Sequence, residues 1–149
     1  MQSAIYHRHL PHIHVPGACM FITFRLAPRH AKELMPAERD AVAMHIHRMA
    51  PGVLRAWVVM PDHVHVVYQC APSEQLLSTL QALKSASAHT LTRRYGRVAP
   101  VWQSESHDHV VRTERELLET CRYVEANPVR GGLVSLAEAY QWSSAAGRI

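Results

Sequence analysis

Apolar and polar positions along this chain follow two periods, and they divide it into short elements. Cys19–Leu26 (CMFITFRL) is apolar and rich in β-formers, which predicts a strand. Pro36 opens a helix to about Ala50, with Ala41, Met44, Ile46 and Met49 as its apolar positions. Val53–Met60 predicts a second strand, Pro61-Asp62 a turn, and His63–Gln69 a third strand, so the last two form a hairpin. Ser73 is placed to cap a long helix reaching about Tyr95, with Leu76, Leu80, Leu83 and Leu91 on one stripe. Gly96–Pro100 breaks that helix, and His107–Arg112 predicts a short fourth strand. Thr113-Glu114-Arg115-Glu116 has the form of a capping box, and the helix it starts runs towards Asn127. Pro128 and Gly131-Gly132 are expected to end it.

The order β-α-β-β-α-β followed by one more helix predicts an α+β protein. Its first six elements fit the ferredoxin-like split βαβ arrangement, an antiparallel sheet with two helices on one face. The added helix then has a choice of surfaces. Residues 1–16 form an arm bounded by Pro11, Pro16 and Gly17, and residues 133–149 form a tail. No linker or repeat divides the chain, so a single domain over 1–149 is expected.

Composition narrows the class. The 149 residues are 48% hydrophobic and 19% charged, enough apolar content for a packed core and too much for a disordered chain. No apolar run approaches the roughly 18 residues of a membrane span. The first 14 residues are polar and histidine-rich, unlike a secretory signal, so a cytoplasmic location is expected. Cys19, Cys70 and Cys121 are odd in number and far apart, which suits free thiols in a reducing compartment. The net charge is +4, and 14 of the 16 basic residues are Arg, the better fork for phosphate. That balance leans towards a nucleic-acid partner, although a basic soluble surface has the same arithmetic.

Twelve histidines equal the acidic residues in number. Five His-x-His pairs occur: His7/His9, His12/His14, His45/His47, His63/His65 and His107/His109. Chance placement would supply roughly one, so a bare match means little and context decides. His45 and His47 fall on a helix, where residues two apart point about 200° away from each other and cannot share an ion. The two arm pairs lack a rigid support. His63/His65 and His107/His109 fall on strands, where residues two apart share a face. Either pair could hold a metal, and either could be a polar sheet face.

On the last helix, Leu117, Cys121 and Val124 line up within about 60° as an apolar stripe. Tyr123 and Asn127 lie at about 240° and 280° from Leu117, four residues apart, side by side and off that stripe. They fit an interfacial Tyr with a C-capping Asn, and equally a hydroxyl nucleophile beside a neutral oxygen ligand.

Five blocks in order resemble a known family. Trp57-Val58-Val59-Met60-Pro61-Asp62-His63-Val64-His65-Val66-Val67 resembles the HUH segment (His, bulky apolar, His) of single-tyrosine transposases. Leu10-Pro11-His12-Ile13-His14-Val15-Pro16-Gly17, running into Phe21–Leu26, resembles the N-terminal block. Val101-Trp102-Gln103 with Asp108-His109-Val110-Val111-Arg112 resembles the block before the last helix. Arg122–Val134 resembles the tyrosine block, and Trp142-Ser143-Ser144-Ala145 the tail. The similarity is to the IS200-like family and, within it, to the REP-associated tyrosine transposases. One departure is His107 before Asp108, where relatives often carry an aromatic residue.

The resemblance implies a ferredoxin-like HUH endonuclease fold whose added helix carries the tyrosine. It implies that His63 and His65 hold a divalent metal, that Asn127 completes the site and that Tyr123 is the nucleophile, which selects His63/His65 over His107/His109. A mixed nitrogen and oxygen site facing a phosphate suits Mg²⁺ or Mn²⁺. The implied activity is nicking and rejoining of single-stranded hairpin DNA in transposition, through a 5′-phosphotyrosine with a free 3′-hydroxyl. No P-loop is present, in keeping with rejoining that needs no ATP. Expected DNA contacts are Arg8, His9, His12 and His14 in the arm, Lys84, Arg93, Arg94 and Arg97 on or just after the long helix, and Arg112, Arg115, Arg122 and Arg130 around the tyrosine helix. Glu105 and Asp108 are acidic and precede the tyrosine helix, so each could serve as a base or simply support the fold. Monomer and homodimer both fit. The competing functions are a domesticated hairpin-binding protein without catalysis, a water-using metal hydrolase indifferent to Tyr123, and a histidine-rich metal store.

Overall fold

The computed structural model describes residues 17–147 and the backbone of Ile5–Tyr6. The elements are β1 (Ile5–Tyr6), β2 (Cys19–Arg25), α1 (Pro36–His47), β3 (Val53–Val59), β4 (His63–Gln69), α2 (Leu76–Tyr95), β5 (His107–Val111) and α3 (Glu114–Arg130), with a 3₁₀ turn at Ala137–Ala139. The strands form one antiparallel sheet in the order β1-β5-β2-β4-β3. From β5 to β3 this is the expected ferredoxin-like arrangement. The arm adds β1 as a fifth, two-residue strand on the outer edge of β5.

Alternation along the strands builds two cores, one on each face. Ile22, Phe24, Trp57, Val59, Val64, Val66 and Tyr68 pack against Val42 and Ile46 of α1 and Leu80, Leu83 and Leu91 of α2. Phe21, Ala56, Val58, Val67 and Val111 point the other way, under Val124 of α3 and Tyr140 of the tail. The nearly continuous apolar strands have this meaning: both faces are covered. Each fully buried Val, Ile or Phe contributes about 1.5–3 kcal/mol, so the second face is a strong reason for α3 to settle there.

Three local expectations change. β3 is not a smooth strand: its register with β4 slips between Leu54 and Ala56, which sends Leu54 and Ala56 to opposite faces. Ser73 does not cap α2, which starts at Leu76 after Gln75. The neighbouring Glu74 is used instead, its carboxylate accepting from the Ala71 N–H (2.9 Å), the Tyr68 hydroxyl (2.7 Å) and the Thr79 hydroxyl (2.6 Å). Finally, α3 does not stop at Asn127 but runs through Pro128 to Arg130. Proline there forfeits one rung, from its own nitrogen to the Val124 carbonyl, while Pro128 is buried and the chain beyond it is bonded back to Asn127, Pro128 and Val129.

At the start of α3 the Thr113 hydroxyl accepts from the Glu116 N–H at 3.0 Å. The Glu116 carboxylate reaches past Thr113 to the Arg112 N–H at 2.7 Å, so the box is closed one residue earlier than its usual form. The far end is pinned by the tail. Ser144 donates to Glu125 at 2.5 Å, and the Tyr140 hydroxyl donates to the Val59 carbonyl at 2.6 Å.

Candidate active site on the second sheet face

The histidine pair sits on β4, on the face that α3 covers. Its neighbours follow from register: β2 runs antiparallel with Thr23 opposite His65 and Arg25 opposite His63. The two imidazoles lie with ring centroids 4.8 Å apart and planes at 79°. Thr23 Oγ1 is 2.7 Å from His65 Nδ1, and Asp62 Oδ1 is 2.6 Å from His63 Nδ1. The tight Met60–His63 turn fixes Asp62, whose carbonyl accepts from the Leu26 N–H while that of Pro61 accepts from the Leu34 N–H.

Burial disfavours the charged form of both rings. It pushes His65 down to about 3, helped by repulsion from His63, Arg25 and Arg130. His63 is also lowered by burial and by Arg25, against the opposing pull of Asp62. Near neutral pH both imidazoles therefore have a lone pair to offer.

Tyr123 approaches from α3. Its ring centroid is 6.2 Å from His65 and 6.0 Å from Phe21, which is itself 5.4 Å from His65. Phe21 thus fills the apolar side of the site, while Tyr123 as a residue stays 39% exposed, open to a large substrate. The Arg130 guanidinium carbon lies 4.1 Å from the Tyr123 ring centroid, and its Nη1 donates to the Tyr123 carbonyl at 3.3 Å. That contact depends on α3 continuing past Pro128, since seven residues span about two turns and return to the same side. Asn127, half-buried, is one turn after Tyr123 on that side.

Among the described residues no group of three or more His, Cys, Asp or Glu forms a ready metal cage. The donor set here is different: two imidazole Nε2 atoms without hydrogen-bond partners among the described residues, and an amide oxygen one turn from the tyrosine. Such a set fits a divalent ion that takes its other ligands from phosphate and water.

The family model described as "Transposase IS200 like" matches residues 32–127. The chain belongs to the IS200-like transposase family. This IS200-like chain is 23% identical over 135 residues to the REP-associated tyrosine transposase of Escherichia coli K12, covering 88% of this chain and 78% of that one. It is 24% identical over 96 residues to a putative REP-associated tyrosine transposase of Haemophilus influenzae, covering 58% and 54%. Among solved structures, a REP-associated tyrosine transposase bound to a REP hairpin superposes with a TM-score of 0.76 at 21% identity, over 91% of this chain and 81% of that chain. A putative transposase from Deinococcus radiodurans gives 0.55 at 20% identity, over 77% and 94%. These likenesses establish that the IS200-like chain shares their fold.

Of the other histidine pairs, His7/His9 and His12/His14 lie outside the described residues, and the remaining two are placed apart or already engaged. His45 bonds to Thr90, and His47 stands edge-on to Trp57, on the far side of the sheet. His107 and His109 do share the face of His63/His65, opposite Thr23 and Phe21, but His109 Nε2 is 3.3 Å from Glu116. Asp108 alternates with them and pairs in register with Ile22, so it lies on the face opposite Tyr123. Glu105 precedes β5 in the connecting loop.

The expected DNA contacts of this transposase scatter over the molecule. Arg122 and Arg130 are exposed on α3, and Arg112 is exposed at its start. Arg93 and Arg94 are in the last turn of α2, on the other face of the sheet. Lys84 is partly buried, donates to the Gln103 carbonyl (2.8 Å) and Ser106 hydroxyl (3.1 Å), and burial lowers its pKa. Arg97 is buried in a clip with Glu38. Arg115 faces solvent beside Glu119. Arg8, His9, His12 and His14 lie outside the described residues. Among these residues no helix is long and apolar enough to cross a membrane.

Nothing in the sequence alone marks Thr23, Arg25 and Asp62 as neighbours of the site. Period-two alternation places Thr23 and Arg25 on one face of β2, but only the pairing register puts that face beside His63 and His65.

Proposed function

We propose that this protein nicks and rejoins single-stranded hairpin DNA through Tyr123, with His63, His65 and Asn127 holding Mg²⁺ or Mn²⁺. The observation that carries this is the meeting of the Tyr123 ring and the His65 ring, 6.2 Å apart between centroids, from α3 and β4. Family membership supplies the DNA-processing class, and the similar transposase solved with a REP hairpin supports a hairpin substrate.

The Tyr123 hydroxyl oxygen attacks the scissile phosphorus. A phosphotyrosine bond forms, the bond from phosphorus to the 3′ oxygen breaks, and that oxygen leaves as a 3′-hydroxyl after taking a proton. A free phenol has a pKa near 10, so the attacking oxygen must lose its proton. Arg130, stacked on the ring, favours the developing negative charge on that side. Arg25, exposed and paired in register with His63, is positioned to receive a non-bridging phosphate oxygen. The metal, when bound, supplies Lewis-acid polarisation and orientation of the phosphate. Attack of the 3′-hydroxyl on the phosphotyrosine reverses the step and conserves the bond energy.

The test is a denaturing gel of end-labelled hairpin DNA from the flanks of the protein's own gene, incubated with Mn²⁺ and either wild type or Tyr123→Phe. A covalent protein–DNA band present in wild type and absent in the variant is the expected result. Cleavage that survives in Tyr123→Phe would replace the phosphotyrosine with a water nucleophile. Tight binding without cleavage by either protein would leave a hairpin-binding module.

A further inference from the structure

We infer that Asp62 and Thr23 are positioning residues that tie down the Nδ1 atom of each histidine, so that metal and substrate meet only the two Nε2 atoms. This rests on the metal-site assignment proposed above and specifies its atoms.

The two partners differ in what they allow. A carboxylate offers only lone pairs, so the proton shared between Asp62 Oδ1 and His63 Nδ1, 2.6 Å apart, comes from the ring. His63 is thereby held with a bare Nε2, the form that can bind a metal. Asp62 can do this because its backbone is clamped by the turn and by the Leu26 N–H, at 2.9 Å from its carbonyl. Its side chain is 57% exposed, so water reaches the carboxylate, but the histidine it orients is 13% exposed.

Thr23 is a switch rather than a lock. Its hydroxyl, 2.7 Å from His65 Nδ1, can accept a proton from the ring or donate one to it. Accepting leaves Nε2 bare and ready to ligate; donating leaves an Nε2–H, which cannot ligate. Thr23 is buried and has no other hydrogen-bond partner among the described residues, so its hydroxyl can turn to match either tautomer without breaking another bond, while the ring proton leaves one nitrogen to water and the other nitrogen takes one from water. A metal arriving at the pair selects the accepting state. His63 therefore anchors the ion, and His65 becomes a ligand only as the ion binds.

Long-range proton–nitrogen NMR on histidine-labelled protein, metal-free and at a pH where both rings are neutral, reads the tautomers directly. His63→Ala and His65→Ala identify the signals and give the background from the remaining histidines. His63 is expected as the Nδ1–H tautomer, shifting towards Nε2–H in Asp62→Ala, while His65 is expected as a mixture that collapses to Nδ1–H when Zn²⁺, a diamagnetic probe, is added. Mn²⁺ titrations followed by electron paramagnetic resonance give the second readout. Asp62→Ala and Thr23→Val are each expected to lose roughly 10–100-fold in affinity, with Asp62→Asn intermediate and Thr23→Ser close to wild type.

A His63 signal of the Nε2–H form in the wild type, or full Mn²⁺ affinity in Asp62→Ala, would overturn the role of Asp62. A single fixed His65 tautomer insensitive to metal would overturn that of Thr23. If both readouts come out as expected while no covalent DNA adduct forms, the positioning roles stand and the strand-transfer reaction falls. If the adduct forms and wild type binds no Mn²⁺ beyond the His63→Ala background, the nucleophile stands and these roles fall.

Discussion

The Arg130 guanidinium stacks on the Tyr123 ring from two turns further along the same helix, 4.1 Å from guanidinium carbon to ring centroid. A cation on a phenol face fixes the rotamer that aims the hydroxyl. Such contacts are worth about 0.5–2 kcal/mol, so Arg130→Met should slow single-turnover adduct formation by roughly 2–30-fold. Arg130→Lys should fall between, and both variants should keep a wild-type urea midpoint, since the residue is exposed. An unchanged rate in Arg130→Met would remove Arg130 from the reaction.

Arg25 has no hydrogen-bond or ion-pair partner among the described residues, although it stands opposite His63. If it receives a phosphate, Arg25→Gln should weaken binding of single-stranded DNA by about tenfold and reduce the log–log salt slope by about one. Arg94→Gln, at the end of α2, is the comparison. Equal losses in the two variants would mean that Arg25 contributes only general charge.

Stability should depend on pH in a defined direction. In metal-free protein His65 is held near 3, against 6.5 for an ordinary ring, and His63 is lowered too. Between those limits the unfolded chain binds more protons than the folded one, so stability falls as pH drops from about 6.5 and levels off near 3. The slope approaches about 1.4 kcal/mol per pH unit for each ring held neutral. Urea midpoints across this range, in a chelator, should show it, and His65→Gln should flatten it. An equally steep profile in that variant would contradict the assignment.

Arg97 is a test of restraint, since its charge is spent inside the protein. Its Nε and Nη2 bond Glu38 at 2.6 and 2.9 Å, its Nη1 and Nη2 bond the carbonyls of Lys32 and Glu33, and the pair is 7% and 5% exposed. Removing one partner strands the other, so Arg97→Leu or Glu38→Gln should cost about 3–5 kcal/mol in thermal or urea unfolding. The salt slope of DNA binding should not move in whatever folded protein remains. A shallower slope would show that Arg97 reaches the DNA.

The strands, the three helices and the hairpin turn were legible in the sequence because their periodicities are clean and Pro36, Gly96 and Thr113 punctuate them. Ile5–Tyr6 was not, since two residues show no period and pair only because β5 offers a free edge. The end of α3 lies beyond the sequence expectation for a physical reason: a proline near a C-terminus loses a single rung, which local packing outweighs. Spacing alone leaves His63/His65 level with His107/His109 and gives Tyr123 and Asn127 two readings; the family resemblance is what singles out His63, His65, Tyr123 and Asn127. Thr23, Arg25 and Asp62 were not legible, because a threonine, an arginine and a turn aspartate gain meaning only from what lies across the sheet.

The tail bonds that hold α3 down have an arithmetic consequence. Ser144 to Glu125 and Tyr140 to Val59 hold the tail against α3 and β3, and with it the tyrosine helix over the strand that carries His63 and His65. On the reaction proposed above, each chain carries a single attachment point, Tyr123, and holds one DNA end at a time. Under that proposal, moving a segment, which has two ends, calls for two chains acting together or for one chain that releases the first end before it takes the second.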